Sequence, residues 1–370
     1  MAEHADALLR ALSAALADAA PALGLPSAPP RLERLPDKGL AHDHVRLVGC
    51  GLLARVPKQS QMGLAAHANL AYQSACFERA AASGHAPRLH GRLVPAAAGS
   101  PLERGALLVE EIEGRPAALP EDLPALVDAL AAIHRLPLPP AGARAPLQDE
   151  PDALASLARE IDAQAVHLDA AALAPGVRHA IEHVRRRWLR VLAQPPRPPR
   201  RLITFDAHPG NFLVTPAGRA VIVDLEKARY SHPPLDLAHA TLYTSTTWDV
   251  QSRAELSPAQ VIEACERWLR AMAEPGAVAD PWRAWLVPLR EAMWLWAVTW
   301  CAKWRVLSGQ APRSATAGED WSAERSDAAL VAHVRGRVDE YLSPRGVAFV
   351  VDECEALRAH FGAVAAQRGD

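Results

Sequence analysis

The sequence predicts an α+β protein, with a small β-rich lobe followed by a larger, mostly helical one. Three observations predict it. Short strand-like runs broken by Gly and Pro fill residues 31–57 and 88–113, as expected of antiparallel strands joined by tight turns. From about residue 120 the apolar spacing changes to the helical period. One β-like stretch, 202–225, interrupts those helices and gathers acids and an amide around a Pro-Gly turn. At 370 residues the chain is long enough for two such bodies, since a domain usually takes about 100–200 residues.

Each element follows from its local pattern. MAEHADALLRALSAALADAAPALG places Leu8, Leu12 and Leu16 on one helical face, which predicts an amphipathic helix docked on the body. Residues 31–57 divide into RLERLP, a turn DKGLAHDH, VRLVG and GLLARVP, three short strands. Residues 64–83 are helical in period and stop at Gly84. RLHGRLVP and GALLVEEIEG supply two more strands. Helices then follow in LPALVDALAAIHRLP, DALASLAREIDAQA and GVRHAIEHVRRRWLRVLA, before the stiff connector QPPRPPRR. Beyond the β-like insert, helices are predicted near 258–273, 282–307, 324–342 and 348–366. The expected division is an N-terminal helix at 1–30, a β-rich lobe at 31–116 and a mostly helical lobe at 117–370.

Charge and composition narrow the function classes. Lys and Arg number 40 against 42 Asp and Glu, which gives no electrostatic basis for a nucleic-acid partner or an anionic membrane. The longest apolar stretch, 286–307, contains Arg290, Glu291, Lys303 and Arg305. Each charge costs roughly 2.5–3.5 kcal/mol at the centre of a spanning helix, so a buried core helix is expected there and no membrane span. The N-terminus lacks the basic region of an export signal. Five scattered cysteines without a CxxC pair fit a reducing compartment, so a cytoplasmic protein is expected. There is no Ser-His-Asp, metal-hydrolase or Walker A signature.

The chemistry is concentrated in LITFDAHPGNFLVTPAGRAVIVDLEKARYSHPPLDLAHA, residues 202–240. Asp206 follows a strand, Asn211 lies five positions on, Asp224 ends an apolar strand, and Asp236 follows a Pro-Pro turn. The Asp-x4-Asn spacing is that of a phosphoryl-transfer catalytic loop, in which Asp meets the acceptor hydroxyl and Asn holds magnesium. A second Asp at a strand end then binds the magnesium that bridges the nucleotide phosphates. Hard oxygen donors without thiolates suit magnesium rather than zinc. Taken alone, Asp206 and Asn211 fit an Asx-turn pair equally well; the complete register is what points to catalysis.

In that register the segment resembles the phosphotransferase family of aminoglycoside and choline kinases, small-molecule relatives of protein kinases. Its members usually read His-Gly-Asp-x-His-Pro-Gly-Asn-x-Leu-Val, then Val-Ile-Asp-Trp-Glu, then Asp-Leu-Ala. Here the strings are Thr204-Phe205-Asp206-Ala207-His208-Pro209-Gly210-Asn211-Phe212-Leu213-Val214, then Val223-Asp224-Leu225-Glu226, then Asp236-Leu237-Ala238. The resemblance spans about 31–245 and implies a protein-kinase-like fold using ATP and Mg2+. It implies that Asp206 is catalytic, that Asn211 and Asp224 are magnesium ligands, and that Asp236 anchors the loop. Thr204-Phe205 stands where His-Gly is usual.

The resemblance also guides the nucleotide side. Strand alternation puts Leu53, Arg55 and Pro57 on one face, and Arg55 matches the family's phosphate-holding cation. Lys58, beyond Pro57, is expected to be solvated. The helix partner of Arg55 is Gln73 by family spacing or Glu78 by charge. The turn 37–44 would cover the phosphates, and backbone groups of Glu111, Ile112 and Glu113 would meet the adenine edge. The acceptor, a small-molecule hydroxyl of aminoglycoside, amino alcohol or sugar type, would sit between the catalytic loop and the C-terminal helices. Trp296, Trp300 and Trp304 share a helix face there and read first as core; Trp294 or a neighbour is a candidate pocket wall. Glu319, Asp320 and Glu324 could attract a polycation but also fit a solvated loop, and His134, His208, His239 and His333 read as structural. A protein kinase is disfavoured, since no Ala-Pro-Glu segment follows Asp224. A nucleotide-binding pseudokinase with a regulatory role stays open as the alternative.

Overall fold

The computed structural model of the chain describes residues 2–25, 30–36, 41–194, 196–273, 280–309 and 328–366. Residues 37–40 of the turn expected to cover the phosphates, and Glu319, Asp320 and Glu324, lie outside them.

The N-terminal region is an antiparallel sheet of β1 (Leu32–Arg34), β2 (His42–Leu47), β3 (Leu52–Pro57), β4 (Leu89–Leu93) and β5 (Ala106–Glu110), in the order β1-β2-β3-β5-β4. Alternation along β3 decides what each face does. Leu52, Ala54 and Val56 turn to one side, where helix α1 (Ala2–Leu23) buries Leu8, Leu12 and Leu16 against them. Burying such a leucine is worth about 1.5–3 kcal/mol, so the docking of α1 on its own sheet needs no partner. Leu53 and Arg55 turn to the other side and line a cleft. Helix α2 (Ala66–Ala81) packs across β4 and β5 and ends, as its glycine stop requires, before Gly84 with φ of 73°.

The C-terminal part is helical apart from short strands. Helices α3 (Leu123–His134), α4 (Ala153–Ala165) and α5 (Pro175–Leu192) precede the insert, and α6 (Pro234–Thr241), α7 (Tyr243–Thr246), α8 (Pro258–Met272), α9 (Leu286–Leu307), α10 (Ala328–Tyr341) and α11 (Pro344–Ala366) follow it. Helix α9 runs through the core and touches α4, α5, α6, α10 and α11. Its two buried charges, Arg290 and Glu291, are both matched. Arg290 donates to Glu353 Oε1 (2.6 Å) and to Thr241 Oγ1 (2.7 Å), and Glu291 accepts two bonds from Arg187 (2.5 and 2.9 Å). Buried charges persist only when paired in this way. Among the described residues no helix is long and apolar enough to cross a membrane.

In the insert not every strand pairs with its sequence neighbour. The strand β7 (Arg201–Ile203) does not pair with its neighbour β8 (Phe212–Val214). It pairs antiparallel with β10 (Arg229–Ser231), a strand the sequence pattern misses because Tyr230 is its only apolar residue. Strand β8 instead pairs with β9 (Ala220–Ile222) and with the two-residue β6 (Arg115–Pro116) at the junction of the two regions. The chain between β7 and β8 is thereby free to form a loop.

Candidate active site

That loop is built on one buried carboxylate. Asp236, on the first turn of α6, accepts four hydrogen bonds. Its Oδ2 takes the backbone N–H of Thr204 (2.7 Å), the Thr204 hydroxyl (3.0 Å) and His134 Nε2 (3.2 Å), and its Oδ1 takes the N–H of Phe205 (2.8 Å). The tautomer of His134 follows from its other neighbour. Trp268 Nε1 donates to His134 Nδ1 (3.0 Å), so the imidazole proton sits on Nε2 and points at Asp236. His134 is thus structural, as expected, and Thr204 supplies the loop-side bond at the place where a histidine is usual.

Phe205 has φ of +55°, a left-handed conformation. A non-glycine residue there costs roughly 1–2 kcal/mol. Its ring offsets that cost by packing: it is fully buried, meets Trp296 edge-on at 5.4 Å and lies 3.8 Å beneath the Arg229 guanidinium. The turn aims Asp206 into the cleft.

Asn211 lies at the far end of the loop. Its Nδ2 donates to the Asp206 carbonyl (2.8 Å), and its own carbonyl receives Val223 N–H (2.9 Å). The side-chain Oδ1 retains its lone pairs. Gly210 is required beside it, because a Cβ there would lie 2.7 Å from the Cβ of Asp249. Asp224 follows β9 by two residues and also lines the cleft.

Arg55 reaches Asp224 across the cleft, a pair separated by 169 positions. Its Nη2 donates to Asp224 Oδ1 (2.7 Å) and its Nη1 to the Val223 carbonyl (2.9 Å). Burial pushes the Asp224 carboxyl up, but Arg55, His42 and Lys227 together outweigh burial and hold it well below the ordinary carboxylate range. The expected helix partners do something else. Gln73 is buried and bonds His42 Nε2 (3.2 Å) and Glu226 Oε2 (3.3 Å). Glu78 is on the exposed face of α2, five residues and most of a half-turn away. Glu226 is buried next to Asp224, and burial with that neighbour's charge pushes its carboxyl up to about 8. Lys58 is not purely solvated, lying 3.7 Å from Asp43.

The cleft holds about 560 Å³ and runs from the sheet to the C-terminal helices. On the sheet side it is lined by Leu53, Val109, Glu111, Ile112 and Leu213. Glu111 gives its backbone N–H to the Gly51 carbonyl (2.9 Å), and its carboxylate accepts from Arg46 Nε (2.5 Å). Glu113 is exposed and outside the lining, and Gly114 passes so close to β8 that a Cβ would lie 2.9 Å from the Val214 carbonyl.

On the helical side the walls include Thr244, Trp248, Trp296, Trp300 and Trp304. Trp294 is instead a fully buried core residue. Two residues is about 200° of helix, so Trp294 and Trp296 face opposite ways, and the row first read as core is the one that lines the cleft. His208 and His239, first read as structural, line it as well. Burial lowers both, His239 to about 4, against the raising charge of Asp206.

One residue at the centre was not anticipated. Lys227 Nζ donates to Asp206 Oδ2 (2.9 Å) and lies 5.8 Å from the Trp296 ring. Burial pushes Asp206 up, but Lys227 and the neighbouring imidazoles reverse this and keep it below its usual range. In the sequence, Lys227 belongs to a mixed charge run, EKAR, that reads as surface.

A two-lobed protein-kinase-like fold with this loop defines the class as a phosphotransferase of kinase type. The family model described as the phosphotransferase enzyme family, APH, matches residues 34–277, and the chain belongs to that family. Several solved structures share the fold over nearly the whole chain. A choline/ethanolamine kinase family protein from Mesorhizobium loti is 19% identical with a TM-score of 0.55, covering 95% of this chain and 99% of its own. The GDP complex of aminoglycoside 2'-phosphotransferase-IIIa is 14% identical with a TM-score of 0.54, covering 94% and 98%. A spectinomycin phosphotransferase in complex with ADP and spectinomycin is 11% identical with a TM-score of 0.55, covering 88% and 93%. No curated protein matches the chain.

Proposed function

We propose that this small-molecule phosphotransferase moves the γ-phosphoryl group of ATP to a hydroxyl of its acceptor. The observation that supports the reading best is the convergence of Asp206, Asn211, Asp224 and Arg55 on one cleft of about 560 Å³. Asp206 orients the acceptor hydroxyl and takes its proton late. Lys227 holds the Asp206 carboxylate by its Oδ2. The loop geometry that aims Asp206 is held by Asp236. With a loose transition state, such positioning and fixed charge supply most of the acceleration.

The donor set fits magnesium. Asp224 and Asn211 offer two hard oxygens, and among the described residues no cluster of three His, Cys, Asp or Glu side chains gathers around a metal. Mg2+ is normally held by one or two protein groups plus phosphates and water, which is what this pair leaves room for. Bound there, the ion would neutralise phosphate charge. Arg55 would steady the non-transferred phosphates from beside Asp224. The adenine edge would meet backbone groups of Glu111, Ile112 and Glu113, of which the Glu111 N–H is already given to Gly51 and leaves its carbonyl to accept. Gln73 acts at one remove, by ordering His42 and Glu226 behind the phosphate side.

A second reading has one observation in its favour. Arg55 occupies an oxygen of the proposed metal ligand, and no helix carboxylate draws it away. A nucleotide-binding pseudokinase would tolerate that arrangement. The two readings separate in one assay: magnesium-dependent ADP release across hydroxylated amines, sugars and aminoglycosides. Turnover on any acceptor supports the kinase. Tight Mg–ATP binding with ADP release no faster than that of an Asp206→Ala protein supports the pseudokinase.

A further inference from the structure

The pleat of β2 separates its side chains into two rows. Val45 and Leu47 are buried with Leu8, Leu12 and Leu16 of α1. His42, His44 and Arg46 therefore point the other way, into the cleft that all three line. On β3, His42 lies opposite Pro57, His44 opposite Arg55 and Arg46 opposite Leu53.

The two ends of this row are committed. His42 Nε2 meets Gln73 Oε1 (3.2 Å) and stands 3.7 Å from Glu226 Oε2. Arg46 donates through Nε to Glu111 (2.5 Å) and through Nη1 to Glu33 (3.3 Å). His44, between them, is half-buried and makes no side-chain hydrogen bond among the described residues. Its ring meets that of His42 at a tilt, with centroids 6.1 Å apart.

Its place along the cleft decides what it can meet. Directly opposed side chains of an antiparallel pair stand about 5 Å apart at Cβ, so His44 is beside the stem of Arg55. Arg55 in turn reaches Asp224 Oδ1 at 2.7 Å. Arg46 lies about 7 Å further along the strand, and its partner Glu111 opens the stretch assigned to the base. His44 thus sits between the metal end and the base end. In a nucleoside diphosphate or triphosphate, the sugar and the first phosphates span that interval.

The chemistry of the ring suits an anion. Burial, Arg55 and His42 lower the imidazole well below its ordinary value, with Asp224 opposing them and Lys58 adding to them, so the ring is neutral near pH 7. A neutral imidazole still carries one N–H. It can donate to a phosphate oxygen without setting a second positive charge against Arg55.

We propose that His44 donates a ring N–H to the diphosphate of the bound nucleotide and completes, with Arg55, the sheet's hold on the phosphates. The assignment rests on the nucleotide half of the proposed function and holds for kinase and pseudokinase alike.

The test is calorimetric titration of the full chain and its His44 variants with Mg–ADP and with adenosine, which has the base and sugar but no phosphate. His44→Ala should bind Mg–ADP about tenfold more weakly, the worth of one hydrogen bond to a charged acceptor. Its adenosine affinity should change less than about twofold, within ordinary scatter. His44→Phe keeps a ring beside His42 and removes both nitrogens. It should lose Mg–ADP affinity as the alanine variant does, and it decides the matter should His44→Ala fail to fold. His44→Gln restores an N–H donor and should recover most of the loss. Unchanged Mg–ADP affinity in a folded alanine or phenylalanine variant overturns the proposal, as does an equal loss for adenosine, which would make the ring a packing element. A native chain that binds no Mg–ADP would instead overturn the nucleotide reading itself, and this assignment with it.

Discussion

Asp236 Oδ1 accepts the backbone N–H of Phe205 at 2.8 Å, and Phe205 is held at φ of +55°. A buried carboxylate and a strained backbone therefore meet at the residue before Asp206. The left-handed turn is where a glycine is usual, and here a phenylalanine occupies it because its ring is clamped between Trp296 and Arg229.

The strain gives an inverted stability order. Phe205→Ala and Phe205→Gly both lose the ring, at roughly 3–5 kcal/mol. Only alanine also keeps the left-handed penalty, so the glycine variant should be the more stable by about 1 kcal/mol. Urea midpoints read this directly. An alanine variant as stable as glycine would show that the turn relaxes.

Asp236→Asn keeps the shape of the anchor but not its chemistry. An amide has one acceptor oxygen to serve four donors, and its NH2 would face a donor. The expected loss is about 2–4 kcal/mol of stability, seen as a lower thermal midpoint, with turnover falling further than stability because Asp206 loses its aim.

Much of this site is legible in the residues themselves. Asp206, Asn211, Asp224 and Asp236 announce themselves by local punctuation: strand, His-Pro-Gly turn, strand, Pro-Pro turn. The α1 stripe of Leu8, Leu12 and Leu16 does likewise. What stays hidden is long-range. Nothing local tells that Arg55 meets Asp224, or that Gln73 turns to His42 and Glu226. Lys227 sits among mixed charges and becomes central only when the short β7–β10 pairing brings its segment beside Asp206. The tryptophan row was visible, but a helix period alone does not say which face is core and which is wall.

Lys227→Met should slow turnover by roughly 10–100-fold, the worth of one charge-assisted hydrogen bond, while KM for ATP moves little. Lys227→Arg should recover part of the loss. Steady-state kinetics of the two variants separate this role from a structural one, which would raise KM and lower stability together.

Stability should also fall in mild acid through His232. Burial holds its imidazole down at about 4, and its Nδ1–H donates to the Pro199 carbonyl (3.2 Å). The unfolded imidazole takes its proton near 6.5, so between about 6.5 and 4 the unfolded chain binds the extra proton. The stabilisation is therefore complete above that window and is lost as pH falls through it. His232→Gln should flatten the pH dependence of the unfolding free energy there. An unchanged slope would place the titration elsewhere.

The most direct measurement is phosphorus-31 NMR of the full chain with Mg–ATP and an acceptor, beside the Asp206→Ala protein. The account predicts a phosphate-ester signal growing with ADP for the native chain, and none for the variant although it still binds Mg–ATP. Equal ester formation by Asp206→Ala would contradict it.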